Sequence, residues 1–117
     1  MSQNPAESAP IVFSDISKEE GVAWVDKFPN HSAISFAGEL TNAGYKDIPV
    51  SYLLCEDDLC ISAKHQRVGI EMVEQVSGKK VDVTSLQSGH FPPISAPGEV
   101  VNWIVDVARK VESGLDI

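Results

Sequence analysis

After Pro49 the chain reads Val50-Ser51-Tyr52-Leu53-Leu54-Cys55, a compact apolar run of the kind found in strands buried on both faces. Further on, Lys80 to Leu86 alternates, with Val81, Val83 and Leu86 apolar, and predicts a second strand. Between them the period changes. Ser62 suits a helix N-cap, Val68, Met72, Val73 and Val76 fall on one helical stripe, and Gly78 stands where a helix stops. Pro97 opens a last helix lined by Val100, Val101, Ile104, Val107, Ala108 and Val111. From Ile48 onward the order is strand, helix, strand, helix. A strand returning through a helix to its neighbour makes a parallel, right-handed βαβ crossover.

The pattern ahead of Ile48 is weaker. Ser17-Lys18-Glu19-Glu20 has the Ser-x-x-Glu form of a capping box, and Val22, Ala23, Val25 and Phe28 follow at helical spacing. A helix over residues 17–28 is predicted, stopped by Pro29-Asn30. Ile34, Phe36 and Leu40 are spaced to line a short second helix, closed by Asn42-Ala43-Gly44. Residues 1–10 are polar and lack the basic start and apolar core of a secretory leader. The organisation expected is a disordered lead-in (1–13), a helical segment (14–46) and a βαβα unit (47–117).

Composition narrows the classes of function. A length of 117 residues fits one domain, small for an enzyme built on a wide α/β sheet, and the 43% apolar and 22% charged content is that of a globular protein. The formal net charge of −8, with the Lys and Arg residues scattered, argues against nucleic acid and anionic membrane as partners. No apolar run approaches the roughly 20 residues of a membrane span. Cys55 falls within the first strand as a buried thiol, and the C-x4-C pair Cys55 and Cys60 offers two ligands, a weak metal signal, so neither a disulfide framework nor a metal is expected. A cytoplasmic protein is the expectation. His31 and His65 read as exposed polar residues, Trp24 and Trp103 as packing residues, and Glu19-Glu20 as a helix-start pair favoured by the dipole. The glycines form no phosphate-cradling loop, and no cofactor is expected.

Asp58 stands just past the first predicted strand and His90 just past the second, 32 residues apart, about the length of one βαβ unit. Functional groups of open α/β sheets gather beyond the carboxyl ends of the strands. A carboxylate beside an imidazole fixes its tautomer and stabilises the imidazolium formed when the other nitrogen takes a proton. This is the layout of the acid and base of a hydrolytic triad. The third member, a Ser on a Gly-x-Ser-x-Gly turn, is not in the sequence. Ser51 and Ser85 lie in strands, and Ser88 and Ser95 flank His90 without an elbow.

These residues carry a resemblance. Ile48-Pro49-x-x-Tyr52-Leu53-x-Cys55-Glu56-x-Asp58-x-x-Ile61, followed by Gln66 and Met72, resembles the acid-bearing segment of the α/β-hydrolase superfamily. The likeness is to its esterase and hydroxynitrile-lyase-like group and to fungal-type hydrolases. Ser88-Gly89-His90-Phe91-Pro92-Pro93-Ile94-Ser95-x-Pro97-x-Glu99-Val100-Val101 resembles the histidine segment, commonly Gly-His-Ser-Pro-Phe-x-Ser-x-Pro. The resemblance runs from Ser14 to the end. It implies a partial α/β-hydrolase fold, a short parallel sheet preceded by a helical lid-like segment, with Asp58 as acid and His90 as base acting on small esters or amides. Phe91 replaces the usual small residue after the His and is expected to narrow the pocket. The early strands, oxyanion-hole loop and nucleophile elbow of the family have no counterpart ahead of the lid-like segment.

Three functions follow as expectations. The chain is the C-terminal part of an ester or amide hydrolase whose missing N-terminal half supplies the Ser. Alternatively, it is a self-standing small protein that binds a hydrophobic small molecule or uses Asp58 and His90 for proton transfer, as in an isomerisation or cyclisation. Third, it is a non-catalytic interaction module, a homodimer formed through the open sheet edge.

Overall fold

A computed structural model of the chain describes residues 4–114. The first element is a helix, α1 (Pro5–Val12), capped by the Asn4 side chain, which accepts the Ala6 N–H at 3.1 Å. This corrects the disordered lead-in expected over 1–13; residues 1–3 lie outside the described part. Tertiary docking decides the matter. Ala9 and Phe13 face α2 (Lys18–Val25) and meet Val25 in a buried cluster, with Val22, Phe28 and Ile94 packed around it. Gly21 permits the close approach, since a Cβ there would lie 3.2 Å from that of Phe13. The capping box holds as far as Ser17, whose Oγ accepts the Glu20 N–H at 3.2 Å.

The second N-terminal helix is not formed. Ala33–Ala37 makes a single 3₁₀ turn, and Ile34, Phe36 and Leu40 stand 84%, 69% and 76% exposed. A segment this short depends on tertiary burial for its helicity, and the ring contact that Phe36 makes is local, to His31 at 4.8 Å between centroids.

The rest follows the predicted order. β1 (Ser51–Cys55) pairs in parallel with β2 (Asp82–Leu86), from Ser51 opposite Asp82 to Cys55 opposite Leu86. Joining them is α3 (Ala63–Ser77), capped by Ser62, whose Oγ accepts the His65 N–H, and closed by Gly78 at φ +71°, the left-handed conformation that glycine adopts without strain. Beyond β2 come a short turn of helix, α4 (Pro92–Ser95), and the long α5 (Pro97–Glu112). The fold class is therefore the expected one, a βαβα arrangement on a parallel two-stranded sheet.

Burial departs from the pattern. Leu54 and Cys55 are buried, whereas β2 is largely open to solvent. On α3 the buried positions are Gln66 and Ile70, and the stripe Val68, Met72 and Val76 is exposed. On α5 no residue is buried, and Val101, Ile104 and Val111 lie open. The apolar faces that the sequence patterns for a core are covered only in part, at Ile70, Val73, Val100 and Val107. No helix among them is long and apolar enough to cross a membrane.

Candidate functional site

The carboxyl ends of β1 and β2 carry the site. Past β1 the chain turns, and the Asp57 N–H donates to the Ser88 carbonyl at 3.0 Å, tying the loop after β1 to the loop after β2. The next residue is Asp58. Its Oδ1 accepts the backbone N–H groups of Cys60 at 2.7 Å and Ile61 at 2.9 Å, an Asx turn that fixes the carboxylate plane. Its Oδ2 lies 2.9 Å from His90 Nδ1. A carboxylate at neutral pH only accepts, so the proton of this bond resides on Nδ1 and Nε2 is left as the basic nitrogen.

Burial of Asp58 works to raise its pKa. The hydrogen bond from His90, those from the Ile61 and Cys60 amides, and the attraction of the imidazole outweigh it, and the carboxyl is held below the ordinary aspartate range. Asp58 is thus an ionised, buried acceptor beneath an imidazole that keeps 28% of its side-chain surface exposed. The two predicted residues are brought together as a hydrogen-bonded pair.

The surroundings contain no activated nucleophile among the described residues. The buried Ser88 donates its hydroxyl to the Gly89 carbonyl at 2.9 Å, and Ser85 donates to Glu56 at 2.9 Å. Burial pushes the Cys55 thiol up; a hydrogen bond with Ser88 opposes this, and the Asp58 and Asp15 carboxylates add to it. Cys60 is likewise raised by burial and by Asp58. Both thiols stay protonated near neutral pH, the unreactive form. No set of three His, Cys, Asp or Glu side chains among the described residues converges as metal ligands do.

Several residues that shape the site were not given a role by sequence reasoning. Gln66, buried on α3, bonds to both backbone groups of Cys55 and to the Ile61 carbonyl. Asp15, in the turn between α1 and α2, accepts the Gly89 N–H at 2.8 Å across 74 residues of sequence. Phe91, expected to narrow a pocket, packs instead on Phe13, with ring centroids 5.4 Å apart. Gln66 was legible only through the family resemblance; no local signal marks Asp15. Of the other residues, His31 and His65 are exposed as expected. Trp24 stands over solvent with the Lys27 ammonium 4.6 Å from its ring centroid. Trp103 helps line a groove of about 400 Å³ between the sheet and α5, with Leu53, Thr84, Leu86 and Val107. Neither Asp58 nor His90 lines this groove.

Fold and site together define a partial α/β-hydrolase-like domain: a parallel βαβα core with an Asp–His pair beyond its strand ends. Comparison with known proteins gives the same class. Over 100 residues the chain is 37% identical to a probable hydrolase, R7, of Phoma sp., a match covering 86% of this chain and 41% of that protein. Over 68 residues it is 38% identical to the α/β hydrolase nvfD of Aspergillus novofumigatus, covering 58% of this chain and 26% of that protein. The chain thus spans less than half the length of the curated relatives it matches. No family model matches it.

Proposed function

We propose that this chain is the acid- and histidine-bearing C-terminal part of a serine-type ester or amide hydrolase, active only when further polypeptide supplies the nucleophile and oxyanion hole. The observation that carries the reading is the 2.9 Å contact from His90 Nδ1 to an ionised, buried Asp58 at the ends of adjacent parallel strands. In that role His90 Nε2 takes the proton of an incoming hydroxyl, and Asp58 steadies the imidazolium. Two further facts support it. The relatives are named as hydrolases and are more than twice as long as the matched segment. In addition, β1 has one unpaired edge, and the open stripes of α3 and α5 are apolar, as surfaces awaiting a partner are. Residues 14–46 are read as the end of a lid over the site, with Ile34, Phe36 and Leu40 facing an ester's apolar part.

The test is complementation. The chain is co-expressed with an N-terminal α/β-hydrolase half bearing a Gly-x-Ser-x-Gly turn, and p-nitrophenyl butyrate hydrolysis is measured. The chain alone is expected to be inert. The assembled pair is expected to hydrolyse the ester and to lose about 10⁴-fold in kcat on Asp58→Asn. Hydrolysis by the pair that survives His90→Ala would overturn the reading.

A second reading has one observation in its favour. His90 and Asp58 form a complete base and orienting acid without any nucleophile, and the imidazole remains partly exposed. Proton-transfer chemistry on a small apolar ligand then needs no added chain. This reading expects the isolated protein to fold cooperatively, as a homodimer through β1, and to accelerate deuterium exchange of an acidic C–H substrate in a His90-dependent way.

A further inference from the structure

The histidine loop is held by a segment 74 residues away in the sequence. Gly89 is buried, and its N–H points into the Asp15 carboxylate at 2.8 Å. The fit leaves no room: a Cβ on Gly89 would lie 2.8 Å from Ser14 Oγ and 2.9 Å from Asp15 Oδ1. On the other side of His90, Phe91 packs at a tilt against Phe13, and Ile94 joins the cluster of Ala9, Phe13 and Val25. Asp15, in the turn between α1 and α2, reaches the loop's backbone itself, through the Gly89 N–H.

We infer that Asp15 is a positioning residue for His90, its carboxylate anchoring the Gly89 N–H so that the imidazole is delivered onto Asp58. The inference rests on the reading of Asp58 and His90 as an acid–base pair. The physical reason is that a peptide N–H bound to a carboxylate makes a charge-assisted hydrogen bond, stronger than a bond to a neutral acceptor. Gly89 is free to rotate about its own backbone, and the His beside it would otherwise sample orientations that miss Oδ2. Asp58 fixes the imidazole tip, and Asp15 fixes the chain that bears it.

The experiment reads the His90 ring by ¹⁵N and ¹H NMR in the full chain at neutral pH, where a bound Nδ1–H gives a low-field, slowly exchanging proton. Asp58→Asn is expected to abolish that signal. If the wild-type chain lacks the signal, or Asp58→Asn leaves it unchanged, the acid–base pair itself fails and the anchor has nothing to position. Asp15→Ala is expected to speed exchange of the Nδ1 proton about ten-fold, and Asp15→Asn, whose amide oxygen still accepts the Gly89 N–H, to speed it less. Ser17→Ala removes the α2 cap without touching Gly89 and separates positioning from general loosening; it is expected to lower the urea midpoint and leave the ring proton unchanged. A ring proton equally protected in wild type and Asp15→Ala would overturn the inference, as would one lost equally in Ser17→Ala. Should Asp15→Ala fail to fold, Asp15→Asn decides: faster exchange supports the anchor, and unchanged exchange overturns it.

Discussion

Gln66 holds Cys55 by both of its backbone groups. The Cys55 N–H donates to Gln66 Oε1 at 3.0 Å, and Gln66 Nε2 donates to the Cys55 carbonyl at 2.9 Å. A side chain on α3 thus stands in for a neighbouring strand at the last residue of β1, and a third bond, to the Ile61 carbonyl at 2.9 Å, binds the loop that carries Asp58.

Gln66→Leu keeps the volume and strands these buried polar groups. Its cost is expected to be about 3 kcal/mol, since each unmet buried group costs about 1–3 kcal/mol. Urea unfolding followed by tryptophan fluorescence measures it; a midpoint equal to wild type would mean that water satisfies the end of β1.

Asp58 makes stability depend on acid. Its folded-state pKa lies below that of the unfolded chain, so its contribution is fully present above the ordinary aspartate value of about 4 and fades as pH falls through the lower folded value. Asp58→Asn is expected to lower stability at pH 7 and to flatten the loss below about pH 4. Urea midpoints taken from pH 7 down to pH 2.5 read both effects, and parallel curves for the two proteins would show that the ionised Asp58 gains nothing from its bonds to His90, Ile61 and Cys60.

Phe13 touches both Phe28 and Phe91, with ring centroids 5.9 and 5.4 Å away. Phe13→Ala opens a cavity where the N-terminal helices meet the histidine loop and is expected to cost about 3–5 kcal/mol. The same variant should release Phe91, seen as broadened ring resonances. A sharp, unshifted Phe91 ring would place its support elsewhere.

Gly89→Ala sets a Cβ 2.8 Å from Ser14 Oγ and 2.9 Å from Asp15 Oδ1. The Ser14 and Asp15 side chains must move aside, which breaks the bond from the Gly89 N–H to Asp15, and the expected loss is about 1 kcal/mol. Hydrogen exchange at residues 13–16 should accelerate with it. Equal protection in the two proteins would mean that the turn yields without cost.

The exposed stripe of Val68, Met72 and Val76 should cause association. The wild-type chain is expected to show an unfolding midpoint that rises with protein concentration. Val68→Lys with Met72→Lys should remove that dependence while leaving the circular dichroism of α3 intact. A wild-type midpoint independent of concentration from 1 to 100 μM would count against a self-association surface.

Much of the fold was legible because its signals are local. Ser17, Ser62 and Gly78 mark helix ends by what each side chain or backbone does within a few residues, and the structure places them there. The disordered lead-in was misread for a different reason. α1 has polar residues and Pro10 in it, and only the docking of Ala9 and Phe13 on α2 makes it worth forming. The same logic runs in reverse at Ile34, Phe36 and Leu40, where helical spacing was present and a covering surface was not.

By itself, the sequence determined the parallel βαβα order and the positions of Asp58 and His90, since strand period, helix period and cap residues are short-range properties of the chain. Only the tertiary structure decided that the carboxylate meets Nδ1 at 2.9 Å, and that Gln66 and Asp15 hold the two loops that make this possible. It also decided which apolar stripes are buried. Periodicity states which face of a helix is apolar, but whether that face is covered depends on what packs against it. A hydrogen bond spanning 74 residues leaves no trace in the pattern along the chain.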